Sequence, residues 1–124
     1  MHMKKIIIDL DNTLTIHEPE KNSYENMKPN IKVIEKLAQY SEKGYGITIF
    51  TARGMKTYQE NLKAITMERL PIILKWLDVH KVPYDEVRIG KPFCGEQGFY
   101  VDDKAVRPSE FISLSESELQ ALVS

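Results

Sequence analysis

The chain has a single cysteine, Cys94, among its 124 residues, so it forms no internal disulfide. A reducing, cytoplasmic setting is the expectation, and a metal site built from clustered cysteines is excluded. No segment approaches the run of about 18 apolar residues that a membrane helix requires. Ile6-Ile7-Ile8 is too short for the apolar core of a signal peptide and runs at once into Asp9. Nor is there an excess of charge of one sign. Seventeen Lys+Arg stand against eighteen Asp+Glu, a net charge of -1, which argues against a general nucleic-acid binder and leaves room for a small phosphorylated ligand. Internal repeats, low-complexity tracts and a recognisable linker are all missing, so one domain over residues 1–124 is expected. What is present is ordinary for a globular domain: 42% hydrophobic and 28% charged residues, enough for one core without a disulfide or structural metal.

Four short runs read as strands. Lys4 to Leu10 carries three consecutive isoleucines, the pattern of a strand buried on both faces. Tyr45 to Thr51 is rich in β-branched and aromatic residues. Glu86 to Ile89 and Gly98 to Val101 are shorter. Between them lie helical patterns. Asn30 to Lys43 places Ile31, Ile34, Leu37 and Ala38 on one face, with Pro29 near its first turn and Gly44 just past its end. Pro71 to His80 has the apolar face Ile72, Ile73, Trp76 and Leu77, with Trp76 expected in the core. Ser115 to Val123 opens with Ser115 and Glu118 in capping-box spacing. Lys56 to Arg69 fits either one helix or a loop with short pieces. Strands alternating with helices imply an α/β fold with a parallel sheet. The polar segment Thr15 to Lys28 reads as a long loop or a small hairpin directly after the first strand, a place where long ordered loops are often functional.

The carboxylates are unevenly distributed. Of six Asp, four (Asp9, Asp11, Asp102 and Asp103) fall at the ends of two expected strands. In open α/β sheets the ligand crevice lies beyond the carboxyl ends of the strands. If the first and fourth strands are neighbours, four carboxylates converge, and like charges so close are not all ionised without a cation. An all-oxygen ligand set favours a hard ion such as Mg²⁺. The competing reading is that Asp and Asn simply favour the turns that end strands. Thr51-Ala52 at the end of the second strand offers a hydroxyl and backbone N–H groups to a phosphate, or Thr51 is simply one of the threonines common in strands. Lys91, between Gly90 and Pro92 beyond the third strand, is placed to neutralise a phosphate or carboxylate, or else is simply solvated.

Asp9-Leu10-Asp11-Asn12-Thr13, then Thr51, then Lys91, then Asp102-Asp103 resemble the four ordered motifs of the haloacid dehalogenase (HAD) superfamily, over residues 5 to 103. The resemblance implies a Rossmann-like parallel sheet with helices on both faces and the first strand central, flanked by the second and fourth. It implies that Asp9 is the nucleophile that becomes an aspartyl phosphate and that Asp11 is the general acid and later the base. Thr51, with Ala52, and Lys91 would hold the phosphate. Asp9, the backbone carbonyl of Asp11, Asp102 and Asp103 would hold Mg²⁺. Dehalogenases of the superfamily lack the second Asp of the first motif, so Asp11 points to a phosphatase.

Forty-two positions separate Asp9 from Thr51 and forty separate Thr51 from Lys91. The expected helices and strands use most of both gaps, and a cap domain needs at least about 50 residues. A capless member is therefore implied, with either the Thr15 to Lys28 loop or a neighbouring subunit of a homo-oligomer as its lid. A narrower similarity, to small phosphatases of capsule and surface-polysaccharide biosynthesis, rests on Thr51-Ala52-Arg53, Tyr58, Asn61, Leu70-Pro71, Trp76-Leu77, Gly90-Lys91-Pro92 and Tyr100-Val101-Asp102-Asp103. It implies a sugar phosphate or similar small phosphomonoester as partner, with Arg53, Tyr58, Asn61 and Arg107 lining the pocket; packing or surface roles are the alternative for each. His17 and His80 read as surface residues. The competing functions are a phosphotransferase of the same superfamily and a non-catalytic phosphoacceptor or binding module. A receiver-type switch carries its acidic pair first and its accepting Asp mid-chain, the opposite of the order here.

Overall fold

The computed structural model describes residues 4–18 and 23–124. It is a small α/β structure whose chain divides into two compact units, residues 1–93 and 94–124. No helix among the described residues is long and apolar enough to cross a membrane.

The first unit is built on a three-stranded parallel sheet of β1 (Lys5–Ile8), β4 (Gly46–Thr51) and β5 (Glu86–Ile89), in the order β1-β4-β5. The register pairs Ile8 with Ile49 and Thr51 with Ile89, so the three strands end close together. Entry into β5 is fixed by a reciprocal clasp. The Asp85 N–H donates to the Ile47 carbonyl at 2.8 Å, and the Ile47 N–H donates to Asp85 Oδ2 at 2.7 Å. A separate two-residue ladder, β2 (Thr15–Ile16) against antiparallel β3 (Lys28–Pro29), closes the base of the expected loop. The loop thus has the small-hairpin form. It carries a 3₁₀ turn over Tyr24–Asn26, and residues 19–22 lie outside the described part.

Between β3 and β4 runs α1 (Ile31–Glu42), capped by Asn30, whose Oδ1 accepts the Val33 N–H. Gly44 follows at φ +94°, the left-handed conformation that ends helices. Pro29 belongs to β3 and lies outside the first turn. The buried face of α1 is Val33, Ile34, Leu37 and Tyr40, which keeps Ile34 and Leu37 of the expected face and has Val33 and Tyr40 in place of Ile31 and Ala38. Ile31, expected on that face, is 54% exposed because it stands at the helix start. The ambiguous stretch resolves into turns followed by α2 (Leu62–Glu68), and α3 (Leu70–Val79) follows directly. Ile65, Ile73, Trp76 and Leu77 are buried. Trp76 is in the core as expected, and its Nε1–H donates to the Met27 carbonyl at 2.8 Å, tying the hairpin loop to α3. His80 is not a plain surface residue: its ring packs on Trp76 at 4.5 Å between centroids. His17 is exposed.

Alternation along β1 and β4 sends Ile6, Ile8, Ile47, Ile49 and Thr51 to one face of the sheet, where Ile8, Ile47, Ile49 and Thr51 are buried. The opposite face carries Lys5, Ile7, Thr48, Phe50, Glu86 and Arg88 and forms a shallow, open depression. Ile7 there is 58% exposed. The expectation of helices on both faces is therefore corrected for the first unit: among the described residues Thr48 is buried on this face but Ile7 is left uncovered. The expectation of a central β1 is corrected too: β4 is central, and β1 is an edge strand among the described residues.

The second unit contains α4 (Pro108–Ser113) and α5 (Glu116–Val123). The Ser115–Glu118 capping box forms as its spacing predicts, and its Ser115 N–H bond holds the Glu118 carboxyl below the usual range. Residues 98–101, expected as a strand, form none. A strand exists only through a neighbour's backbone in ladder register, and composition alone does not supply one. Gly98 instead lies where a side chain would collide with the Cys94 carbonyl.

Candidate active site

The site is assembled where the three parallel strands end. Beyond β1 the chain turns sharply. The N–H groups of Thr13, Leu14 and Thr15 all point at the Leu10 carbonyl, and Asn12 adopts φ +63°. Asn tolerates that left-handed conformation better than most residues. The Asn12 N–H is satisfied by Thr15 Oγ1 at 3.1 Å. This turn leaves the side chains of Asp9 and Asp11 partly open and buries Leu10 and Leu14.

Asp9 has two side-chain neighbours. Lys91 Nζ lies 3.5 Å from its Oδ1, and the Thr13 hydroxyl donates to its Oδ2 at 3.4 Å. Burial raises its carboxyl pKa, the nearby Lys91 charge pulls it down, and the Asp11 charge pushes it up; the net direction is up. Lys91 is held from its own backbone. Its N–H donates to the Thr51 carbonyl at 3.1 Å, which carries the β4–β5 ladder one step past β5. Gly90 before it takes φ +90°, and a Cβ there would sit 3.1 Å from Leu62. A glycine is therefore required to aim Lys91 at Asp9.

Asp11 is engaged differently. Arg53 Nη2 and Nε donate to its two carboxylate oxygens at 2.7 and 3.1 Å, a fork-to-fork pair. The Arg53 side chain is almost wholly buried, whereas that of Asp11 is a third exposed. Thr51 Oγ1 accepts the Arg53 N–H at 3.0 Å, so the end of β4 fixes the start of that side chain. The Arg53 guanidinium lies 4.3 Å from the centre of the Tyr24 ring, and Arg69 lies 5.3 Å from the same ring. Arg53 Nη1 is buried without a hydrogen-bond partner among the described residues.

Three of the four expected motifs thus meet: Asp9 and Asp11, Thr51 with half-buried Ala52, and Lys91. Asp102 and Asp103 lie in the second unit, exposed, with Asp102 Oδ1 accepting the Lys104 N–H. Of the expected pocket residues, Arg53 is a buried partner of Asp11. Tyr58 is half-buried, with Arg69 5.4 Å from its ring centre. Asn61 is the N-cap of α2, its Oδ1 accepting the Ala64 N–H. Arg107 precedes α4 in the second unit, its N–H donating to Glu110 Oε1. Sequence reasoning missed Tyr24 and Arg69. Neither lies in a periodic pattern or motif, and only the hairpin loop brings Tyr24 over Arg53.

The donor set can be tested against a cation. No group of three or more His, Cys, Asp or Glu among the described residues is arranged to hold a metal. Mg²⁺ commonly keeps several waters and takes only one or two carboxylates. Asp9 fits that demand as a single carboxylate ligand. The Asp11 carboxylate fits less well, because Arg53 already occupies both its oxygens.

The Arg53 pair leads to a stability prediction. Arg53→Met leaves Asp11 without its two donors. Removing one partner of a buried pair costs about 3–5 kcal/mol, and the partial exposure of Asp11 reduces this to roughly 2 kcal/mol. Urea unfolding is expected to show that loss, with Arg53→Lys recovering little of it because an ammonium cannot fork. An unchanged midpoint would show the pair to be idle.

No family model and no curated protein matches this chain. Among solved structures, a structural-genomics target from Vibrio cholerae matches with a TM-score of 0.93 and 51% sequence identity, over 98% of this chain and 97% of that one. At that identity over almost the full length of both, the chain belongs to the same protein family as the Vibrio cholerae protein.

Proposed function

We propose that this protein is a Mg²⁺-dependent phosphomonoesterase of the HAD superfamily, of the capless type, acting through an aspartyl phosphate on a sugar phosphate or a similar small phosphomonoester. One observation carries the reading. At the carboxyl ends of three parallel strands, a carboxylate (Asp9) stands 3.5 Å from an ammonium (Lys91), with a second carboxylate two residues on.

On this reading each residue takes a distinct role. Asp9 attacks phosphorus, and its P–O bond forms as the bond to the leaving oxygen breaks. Lys91 sits where it neutralises both Asp9 and an incoming phosphoryl oxygen, so the two anions can approach. Thr51 is buried and acts mainly by fixing the backbone of Lys91 and Arg53. Asp11 delivers a proton to the leaving oxygen and later takes one from water. To do so it must release one of its two bonds to Arg53, and an incoming phosphate competes for that guanidinium. When bound, Mg²⁺ supplies charge neutralisation at the phosphoryl oxygens; Asp9 and the Asp11 carbonyl would hold it.

A panel of phosphomonoesters with released phosphate as the readout tests the proposal. Turnover is expected with Mg²⁺, lost in EDTA and restored by added Mg²⁺. Full activity in chelated, metal-free buffer would overturn the assignment.

A further inference from the structure

We infer that two copies of this chain assemble by exchanging strands: residues 98–101 of each copy pair with the outer edge of β1 in the other. Two features, each described within its own unit, lead there. In the first unit, β1 is an edge strand of a parallel sheet among the described residues, and its Ile7 is 58% exposed. Parallel sheets are characteristically covered on both faces, and a bare apolar edge is a template for another strand. In the second unit, Phe99-Tyr100-Val101 is an aromatic and β-branched run with strand composition and no ladder. Phe99 is 79% and Val101 88% exposed. The α5 helix that follows buries none of its residues, and Leu122 is among its exposed ones.

The two features match in length, chemistry and charge. Both runs are four residues long, and each is followed at once by Asp or an Asp pair. Residues 1–93 hold 15 Lys+Arg against 12 Asp+Glu, a net +3, whereas residues 94–124 hold two against six, a net -4. The opposite charges favour the meeting of a first with a second unit, and the exchange is reciprocal, so each of two copies covers the other's β1 edge. Added in parallel, the incoming strand would end beside Asp9 and bring Asp102 and Asp103 of the second copy to the site. This last clause rests on the phosphatase reading; the strand exchange does not.

Cross-linking tests the exchange without any activity. On a Cys94→Ser background, an Ile7→Cys chain is co-expressed with a Phe99→Cys chain and, separately, with a Tyr100→Cys chain. Alternation along the strand puts one of the two positions on the face of Ile7. A disulfide-linked dimer, with one chain of each kind, is expected on a non-reducing gel, and Met67→Cys in place of Ile7→Cys should give none. A strict monomer in light scattering, or a disulfide only when both cysteines lie in one chain, would overturn the exchange. The shared site has its own readout. Asp9→Asn chains co-expressed with Asp102→Asn/Asp103→Asn chains form hybrids with one intact site, so about a quarter of wild-type turnover should return from two inactive parents. Cross-linking without that recovery, or full activity of Asp102→Asn/Asp103→Asn alone, overturns the shared site and leaves the strand exchange standing.

Discussion

Asp9→Asn is expected to release no phosphate from any substrate. The amide is not an anionic nucleophile, so the covalent intermediate cannot form. Asp11→Asn is expected to lose turnover for a different reason. It keeps the nucleophile and the main-chain oxygen of residue 11 and removes the proton carrier, whose contribution is typically about 10²–10⁴-fold. An aryl phosphate whose leaving group needs no proton separates the two. With that substrate only Asp11→Asn should complete the first half-reaction, and it should accumulate phosphorylated protein because the second half also needs the base. Intact-protein mass spectrometry in acid would show the added phosphoryl group. Normal turnover or phosphorylation of the Asp9→Asn protein would place the nucleophile elsewhere. Asn at position 11 still accepts from Arg53 but lacks a full charge, so the folded state of this variant should be confirmed by its unfolding midpoint.

Lys91→Ala is expected to lower turnover by at least about 10²-fold, the size seen for groups that stabilise developing charge. Lys91 Nζ lies 3.5 Å from Asp9 and is the only cation the described residues place within ion-pair distance of that carboxylate. Without it an incoming phosphate meets two carboxylates and a buried guanidinium already committed to Asp11. The fold should survive, because the bond that orders this position runs from the Lys91 backbone to Thr51 and alanine keeps it. A Lys91→Ala protein with near-normal turnover and an unchanged unfolding midpoint would reduce Lys91 to a solvated side chain. A lowered midpoint would instead show that its packing matters to the fold.

Local chemistry made several elements legible. Three isoleucines before Asp9, the β-branched run ending at Thr51, the Ser115–Glu118 cap and the glycine after α1 all express preferences that act within a few residues. The meeting of Asp9, Thr51 and Lys91 was also readable, because residues that end parallel strands fall on one edge of the sheet whatever lies between. Other features were not readable. Asn61 looks like a pocket residue in sequence and is a helix cap in the structure; the choice depends on where α2 begins, and the stretch before it has no period. Arg53, two positions after Thr51, fits either a pocket or a packing role in sequence, and in the structure its fork closes on Asp11, 42 positions away.

By itself the sequence determined the α/β alternation, the order of the three paired strands along the chain and the collection of Asp9, Asp11, Thr51 and Lys91 at their ends. Those follow from periodicity and from the common direction of parallel strands. Only the tertiary structure decided which strand lies in the middle, which sheet face is buried, that Tyr24 and Arg69 gather around Arg53, and that residues 98–101 form no strand within their own unit. The physical reason is that strand pairing and side-chain burial are non-local. A run such as Phe99-Tyr100-Val101 has the composition of a strand, but it becomes one only where another backbone offers the matching hydrogen bonds.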